Sequence, residues 1–187
     1  TAKTIHHWET ILSDSDSWNY FIGSQEPPHN WNLQEFNISN WTSGNGGFGY
    51  GDDDDQTKVP TNTLSIYYQK EFVITDPTVL VDAFLSMDYD DGFVAYLNGV
   101  EIARANILGS PVPYNQPTIT DHEAVLFSGG KPELFPIPSS TFSALIKTGV
   151  NRLSIQVNNV SESSSDLSGR TWLHVGVNNN KKYFNDN

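Results

Sequence analysis

Four consecutive carboxylates form the most unusual chemical group in this sequence. Residues 52–55 are all aspartate, and they follow a glycine-rich run that reads GNGGFGYG from Gly44. Like charges at this spacing repel one another unless water solvates them or a cation lies between them. Calcium takes six to eight oxygen ligands, and glycines allow the backbone to turn its carbonyls inward. The pattern fits either a calcium site or a solvated acidic loop, and the candidate metal ligands are Asp52, Asp54 and Asp55.

A second acidic group consists of Asp88, Asp90 and Asp91 and is followed by Gly92. Its spacing resembles the start of an EF-hand loop, but Gly99 stands where that loop needs a bidentate glutamate. Strand-like patterns also flank the group, whereas helices flank an EF-hand loop. We therefore interpret it as a turn between strands, in which aspartate side chains accept hydrogen bonds from backbone N–H groups.

No catalytic motif stands out in the sequence. The chain has no cysteine, which excludes disulfides, thiolate metal sites and a cysteine nucleophile. It has no GxSxG, SxxK or HExxH pattern. A glycosidase needs two carboxylates at a set separation, which an abundance of carboxylates does not establish. We therefore expect a protein that is not an enzyme.

The charge balance argues against several classes of partner. The chain has 22 acidic and 10 basic residues, which gives a formal net charge of −12. Nucleic acids and anionic membrane surfaces need clustered lysine and arginine, and the sequence has no such cluster. It also has no apolar run of the ~18 residues that a membrane-spanning helix needs. Calcium and neutral polymers remain compatible, and the aromatic content of 12% suits either a packed core or a sugar-facing surface.

Alternating apolar residues indicate the strands that would position these groups. Asn98-Gly99 between two such runs predicts a tight hairpin turn, because both central residues of a type I′ turn need positive φ. A short helix is predicted after a cap at Ser139 or Ser140. The sequence therefore predicts an all-β fold, an antiparallel β-sandwich. The predicted strands cover residues 66–74, 79–87, 93–97, 100–104, 153–157 and 172–177.

Two long stretches, 25–55 and 109–140, show no strand alternation and are rich in proline or glycine. Loops of this length usually carry function or cover a sheet edge. A chain of 187 residues suits one domain with one core. We predict a single module over residues 1–177 and a polar tail or linker over residues 178–187. The start at Thr1 suggests a mature protein or a fragment of a longer one.

The order of motifs along nearly the whole chain resembles one family. It resembles galactose-binding-like domains found beside CotH-type kinase, lamin-tail and phosphoesterase domains in secreted bacterial proteins, with features of the Bacteroidetes branch. The most specific match is DDGFVAYLNG, from Asp90 to Gly99. The other matching segments are FNISNW from Phe36, GYGD from Gly49, YYQKEF from Tyr67, HEA from His122, SSDL from Ser164 and WLHVG from Trp172.

This resemblance implies a jelly-roll sandwich, a secreted or cell-surface location and frequent association with glycans. It names no ligand. The chain departs from the family pattern at Asn158, where many relatives carry a histidine, so no role of that histidine is carried over. Gln69 replaces an arginine that is usual in the family, and a charge pair on that strand is therefore not expected.

Together these features predict a non-catalytic carbohydrate-binding module with a structural calcium ion. We expect a monomer joined to neighbouring domains of a larger secreted protein. The alternative is a structural or protein-interaction spacer without a glycan site. Exposed tryptophans or tyrosines in loops at one end of the sandwich or on a concave face would favour sugar binding, whereas burial of all five tryptophans would favour the spacer. The loop candidates for a sugar platform are Trp8, Trp31, Tyr114 and Trp172. The candidate ligand-binding residues are Asp90, Asp91, Arg104, Asn106, Tyr114 and His122.

Overall fold

The computed structural model describes residues 4–184 as two six-stranded β-sheets that pack against each other. The predicted antiparallel β-sandwich is confirmed. No helix within this part of the chain is long and apolar enough to cross a membrane. The elements are β1 (His7–Leu12), β2 (Ser17–Ile22), β3 (Thr42–Asn45), β4 (Phe48–Tyr50), β5 (Thr57–Lys58), β6 (Ser65–Ile74), β7 (Leu80–Asp90), β8 (Gly92–Leu97), β9 (Val100–Ala105), β10 (Glu133–Ile137), α1 (Ser139–Leu145), β11 (Gly149–Asn158) and β12 (Leu167–Val177).

The two sheets differ in how their outer faces are covered. The first sheet has the order β10-β7-β12-β4-β5, with β1 also paired to β12, and the second has the order β3-β2-β6-β11-β8-β9. Apolar side chains that alternate along β6 and β7, such as Ile66 and Leu85, are fully buried between the sheets. Tyr67 lies on the other face of β6 and packs under Trp31 and Trp41 from the long loop after β2. The second sheet is therefore covered on both faces.

The hairpin between β8 and β9 has the predicted turn. Asn98 and Gly99 have φ angles of 50° and 85°, as a type I′ turn requires. Leu97 pairs with Val100 across the turn, so the turn sets the register of both strands. The asparagine side chain also accepts a hydrogen bond from the backbone N–H of Arg152 at 2.8 Å, which ties the hairpin to β11.

Several strands were not predicted from the sequence, because they are short or lack alternation of apolar residues. The stretch predicted to be irregular over 25–55 contains β3 and β4, and the stretch 109–140 contains β10. Pro136 weakened the strand pattern of β10, but β10 is an edge strand, where a missing backbone N–H does not break the ladder. The helix α1 is confirmed, although its N-cap is Pro138 and not Ser139 or Ser140.

Residues 178–184, which are the described part of the predicted tail, fold back on the first sheet. The backbone N–H groups of Tyr183 and Phe184 donate to the two carboxylate oxygens of Glu9 at 2.6 and 2.8 Å. These bonds and the neighbouring His7 lower the pKa of Glu9, although burial acts in the opposite direction. Residues 1–3 and 185–187 lie outside the described residues, and the role of 178–187 as a linker stays a prediction.

Candidate metal centre

Three carboxylates from distant parts of the chain meet at one end of the sandwich. Asp90 is the last residue of β7, and Asp166 immediately precedes β12. Because Asp90 pairs with Ser168, the register of these two neighbouring strands brings both aspartates to the same end. Glu123 arrives from the loop between β9 and β10. One oxygen of each carboxylate lies within 4.8 Å of the others, and this carboxylate triad can hold a metal ion.

The loop that carries Glu123 is held in place by the aspartates on either side of Asp90. Asp88 accepts hydrogen bonds from the backbone N–H groups of Val125 and Leu126 at 2.8 and 3.0 Å. Asp91 accepts from the N–H of His122 and of Val160, both at 2.6 Å. The predicted role of these aspartates, to satisfy backbone N–H groups at a turn, is therefore confirmed for Asp88 and Asp91.

Asp90 behaves differently from its neighbours. It is only 2% exposed, and its Oδ1 atom is buried without a hydrogen-bond partner among the described residues. Burial, together with the charges of Asp91, Asp166 and Glu123, raises the pKa of Asp90 to about 8. A buried carboxylate oxygen without a partner is energetically unfavourable unless it meets a proton or a cation. A cation held by the triad would satisfy the buried Asp90 carboxylate.

The acidic loop that was predicted to bind calcium divides into three environments. Asp52 lies beside the triad, and burial together with the charge of Asp166 raises its pKa to about 6. Asp54 forms an ion pair with Arg170 at 2.6 Å. Asp55 is 8% exposed, and neither of its carboxylate oxygens has a hydrogen-bond partner in the described part of the chain. Burial, with the charges of Asp54 and Asp52, raises the pKa of Asp55 to about 7.

Two members of the triad were not among the candidate residues. Glu123 and Asp166 lie far apart in the sequence, so no ligand spacing connects them. The only signal was that both fall within segments that match the family pattern, beginning at His122 and Ser164. The triad forms only when the β7–β12 register and the anchored loop bring the three segments together.

Most side chains that were predicted to touch a ligand use their polar atoms inside the protein. Arg104 binds both carboxylate oxygens of Glu101 at 2.6 and 2.7 Å and also donates to the carbonyl of Gly109 at 2.9 Å. Asn106 donates to the carbonyls of Asp91 and Thr120 at 3.0 and 2.6 Å. These contacts fix the start of the long loop after β9.

His122 and Tyr114 have different surroundings. The His122 ring stacks on Tyr89 with ring centroids 4.2 Å apart, and its Nε2 lies 2.8 Å from a carboxylate oxygen of Glu133. Those contacts support the loop that carries Glu123. Tyr114 is half-buried, and its hydroxyl makes no hydrogen bond with any residue of 4–184. It lines an open cleft at the same end of the sandwich.

The tryptophans are neither all buried nor grouped in loops. Trp18, Trp31 and Trp41 are at most 9% exposed and belong to aromatic or core clusters. Trp8 is 46% exposed in β1, and Trp172 is half-buried in β12, so both of these candidate rings lie on strands of the first sheet and not in loops. The burial of all five that would have favoured a spacer is not observed.

Comparisons with known proteins identify the fold but not a family. No family model matches the sequence. No curated protein matches it either. A calcium-binding mutant of Bacteroides uniformis β-glucuronidase 2 matches 90% of this chain with a TM-score of 0.55 at 14% identity. A glycosyl hydrolase family 2 member from Bacteroides cellulosilyticus matches 88% with a TM-score of 0.54 at 13% identity.

A β-glucuronidase from Ruminococcus gnavus matches 92% of this chain with a TM-score of 0.53 at 16% identity. The chain spans only 18%, 20% and 30% of the lengths of these three proteins, in the order given. Identities this low show the fold alone. This chain therefore has the fold of a β-domain that forms a minor part of larger glycoside hydrolases.

Proposed function

We propose that this chain is a non-catalytic, calcium-stabilised accessory module of a secreted multidomain protein that acts on carbohydrates. The observation that carries the proposal is the carboxylate triad of Asp90, Glu123 and Asp166. Asp88 holds the loop that carries Glu123 in place, and Asp90 has a buried oxygen without a hydrogen-bond partner among the described residues. The triad is therefore a preorganised group of oxygen ligands. Calcium binding to this group offsets the repulsion among carboxylates that otherwise opposes folding.

The donor atoms support calcium over softer metals. Every side chain of the triad offers carboxylate oxygens, which hard cations prefer, and the chain contains no thiolate ligand. When bound, calcium would supply positive charge and would be held by the triad, with Asp52 beside it as a further carboxylate. Arg170 pairs with Asp14 and Asp54, and Lys58 pairs with Asp53, but none of these ion pairs involves a carboxylate of the triad, so a calcium ion would supply the missing counter-charge there.

The carbohydrate part of the proposal is supported by the structural neighbours. Three larger proteins with this fold are described as glycosidases, and the present fold covers less than a third of each. A module of this size suits an accessory role beside a separate catalytic domain. The triad brings one oxygen of each of its three carboxylates within 4.8 Å of the others, an arrangement that suits a bound cation.

A structural spacer is the second candidate. It is favoured by the internal hydrogen bonds of Arg104, Asn106 and His122, which leave few of the predicted contact residues free for a ligand. In a spacer, calcium would still stabilise the sandwich, but no oligosaccharide would bind. Calcium binding therefore tests the metal centre, and oligosaccharide binding separates the two candidates.

The metal centre can be tested by melting curves of protein treated with EDTA and then supplied with calcium. At a calcium concentration of ~100 times Kd, the native state gains about 2.7 kcal/mol. For a domain of this size, that gain raises Tm by roughly 5–10 °C. Asp166→Asn should lose most of the shift. Asp53→Asn, which removes an exposed carboxylate from the acidic loop, is the matched control and should keep it.

The proposal of a calcium centre is abandoned if millimolar calcium leaves the Tm of the EDTA-treated wild type unchanged. It is also abandoned if Asp53→Asn removes the shift as fully as Asp166→Asn, because the effect would then come from general charge screening.

A further inference from the structure

A cleft of about 400 Å³ opens at the end of the sandwich that carries the metal centre. Asn158 at the end of β11 pairs both with Ser65 at the start of β6 and with Gly92 beside the acidic turn, which places the cleft and the triad at one end. The cleft walls come from the end of β2, the segment before β6, and the loops that follow β9 and β11. The side chains with hydrogen-bonding groups include Ser24, Thr61, Asn62, Tyr114, Asn115 and Glu162.

We propose that this cleft, called here the Tyr114 cleft, binds a neutral hexopyranose unit of a polysaccharide. The inference rests on the carbohydrate role proposed above and assigns it a site. A cavity of this volume falls within the usual range for small-molecule sites of ~300–1,000 Å³. The Tyr114 ring offers a surface for the C–H face of the sugar, and the amides and hydroxyls around it offer hydrogen bonds to sugar hydroxyls.

The aromatic wall of the cleft is held in position. Tyr114 packs against the cluster of Trp31, Trp41 and Tyr67, which supports its ring from behind. The backbone N–H of Tyr114 donates to a carboxylate oxygen of Glu26 at 3.1 Å. A ring with this support loses little conformational entropy when a ligand stacks on it.

The polar wall has donors and acceptors that the protein does not use. Among residues 4–184, no side-chain hydrogen bond engages Ser24, Asn62, Asn115 or Glu162. Arg104 differs, because its guanidinium donates four hydrogen bonds to internal partners. Polar groups that converge on a cleft and remain unengaged are available to a polyhydroxylated ligand.

Charge selects a neutral sugar over an acidic one. The cleft is lined by Glu162 and by no lysine, arginine or histidine. A uronic acid or sulfated sugar would bring a negative charge beside this carboxylate without a counter-charge in the cleft, and the chain as a whole has a net charge of −12. A neutral hydroxyl instead donates a hydrogen bond to the carboxylate.

Calorimetric titration of the calcium-saturated full chain tests the inference. The neutral probes are cellohexaose, mannohexaose, laminarihexaose and β-1,4-galactohexaose, and trigalacturonic acid is the acidic probe. At least one neutral probe should bind with a Kd between micromolar and millimolar, and trigalacturonic acid should bind at least about tenfold more weakly. Tyr114→Ala should weaken the neutral probe about tenfold or more, whereas Tyr114→Phe should keep binding within about threefold.

Trp8→Ala is the matched control, because Trp8 is an exposed ring that lines a separate groove of about 840 Å³. It should leave oligosaccharide binding unchanged. Binding that is lost in Trp8→Ala but kept in Tyr114→Ala would move the site to the first sheet and overturn the inference. So would the failure of all four neutral probes, or a preference for trigalacturonic acid. The calcium-induced Tm shift, measured in the same samples, shows independently whether the metal centre stands.

Discussion

Asp90→Asn is expected to change the stability of the metal-free protein and of the calcium-loaded protein in opposite directions. The substitution keeps the shape of the side chain and removes its charge. Without metal, folding must either bury a charge among other carboxylates or force the carboxyl to take up a proton, so removal of the carboxyl should stabilise the fold. With calcium, the same carboxylate is a ligand, so its removal should reduce the stabilisation that calcium provides.

The magnitude follows from the surroundings of this one carboxyl. Burial and neighbouring charges raise its pKa from 3.8 to about 8, so at pH 7.5 the unfolded chain is ionised at Asp90 while the folded chain favours the proton. At ~1.4 kcal/mol per pKa unit, the interval from 3.8 to 7.5 corresponds to a ceiling of about 5 kcal/mol. Because the neighbouring carboxylates share protons with Asp90, we expect a gain of about 1–3 kcal/mol in the metal-free variant.

Urea unfolding at pH 7.5, with EDTA or with millimolar calcium, measures both effects in the wild type and the variant. The EDTA-treated variant should have the higher midpoint, and the calcium-induced gain should fall from about 2.7 kcal/mol to less than about 1 kcal/mol. A variant that is less stable than the wild type in EDTA would refute the reasoning, because Asp90 would then have a stabilising partner without metal.

Three further predictions concern pH and packing. Folding raises the pKa values of Asp55 and Asp90, so the metal-free folded state binds more protons than the unfolded state. The urea midpoint in EDTA should therefore fall as the pH rises from about 4 to 8. A midpoint that rises over this range would contradict the raised pKa values. Gly99→Val places a Cβ at a residue with a φ of 85° and at 2.5 Å from a side-chain carbon of Leu33. It should lower the free energy of unfolding by at least about 1–2 kcal/mol. An unchanged urea midpoint would show that the turn relaxes without strain. Arg152→Ala removes a buried guanidinium, in a residue that is 2% exposed, that donates to the carbonyl of Leu33 at 2.7 Å. The loss of this contact should destabilise the fold by about 3 kcal/mol and speed proteolysis of residues 24–41. Equal cleavage rates in the variant and the wild type would show that the loop does not depend on this contact.

The fold class could be predicted from the sequence because it depends on local patterns. Apolar residues that alternate along β6 and β7 indicate that one face of each strand is buried, whatever element packs against that face. The Asn98-Gly99 turn is determined by the backbone preferences of two adjacent residues, so it also needs no tertiary information. Short strands such as β4 escaped prediction because three residues carry too little periodicity to separate a strand from a loop.

The acidic loop could be identified as unusual, but its sequence did not reveal the separate environments of its members. Asp52, Asp54 and Asp55 are chemically identical and lie within four consecutive positions. Among the described residues, however, Asp52 lies beside the triad, Asp54 pairs with Arg170, and Asp55 is buried without a hydrogen-bond partner. Those differences come from β12, which supplies Arg170 on one side, while Asp166 lies just before its first residue. The local sequence contains no information about contacts with a strand more than a hundred positions away.

The same limit applies to the metal centre and to the Tyr114 cleft. The sequence by itself determined a β-sandwich with abundant loop carboxylates and several candidate aromatic rings, because residue type and periodicity are local properties. Only the tertiary structure decided that Asp88 and Asp91 support the loop while Asp90 faces Glu123 and Asp166. The physical reason is that a carboxylate's role depends on which backbone N–H groups reach it, and strand register and loop closure decide which groups these are.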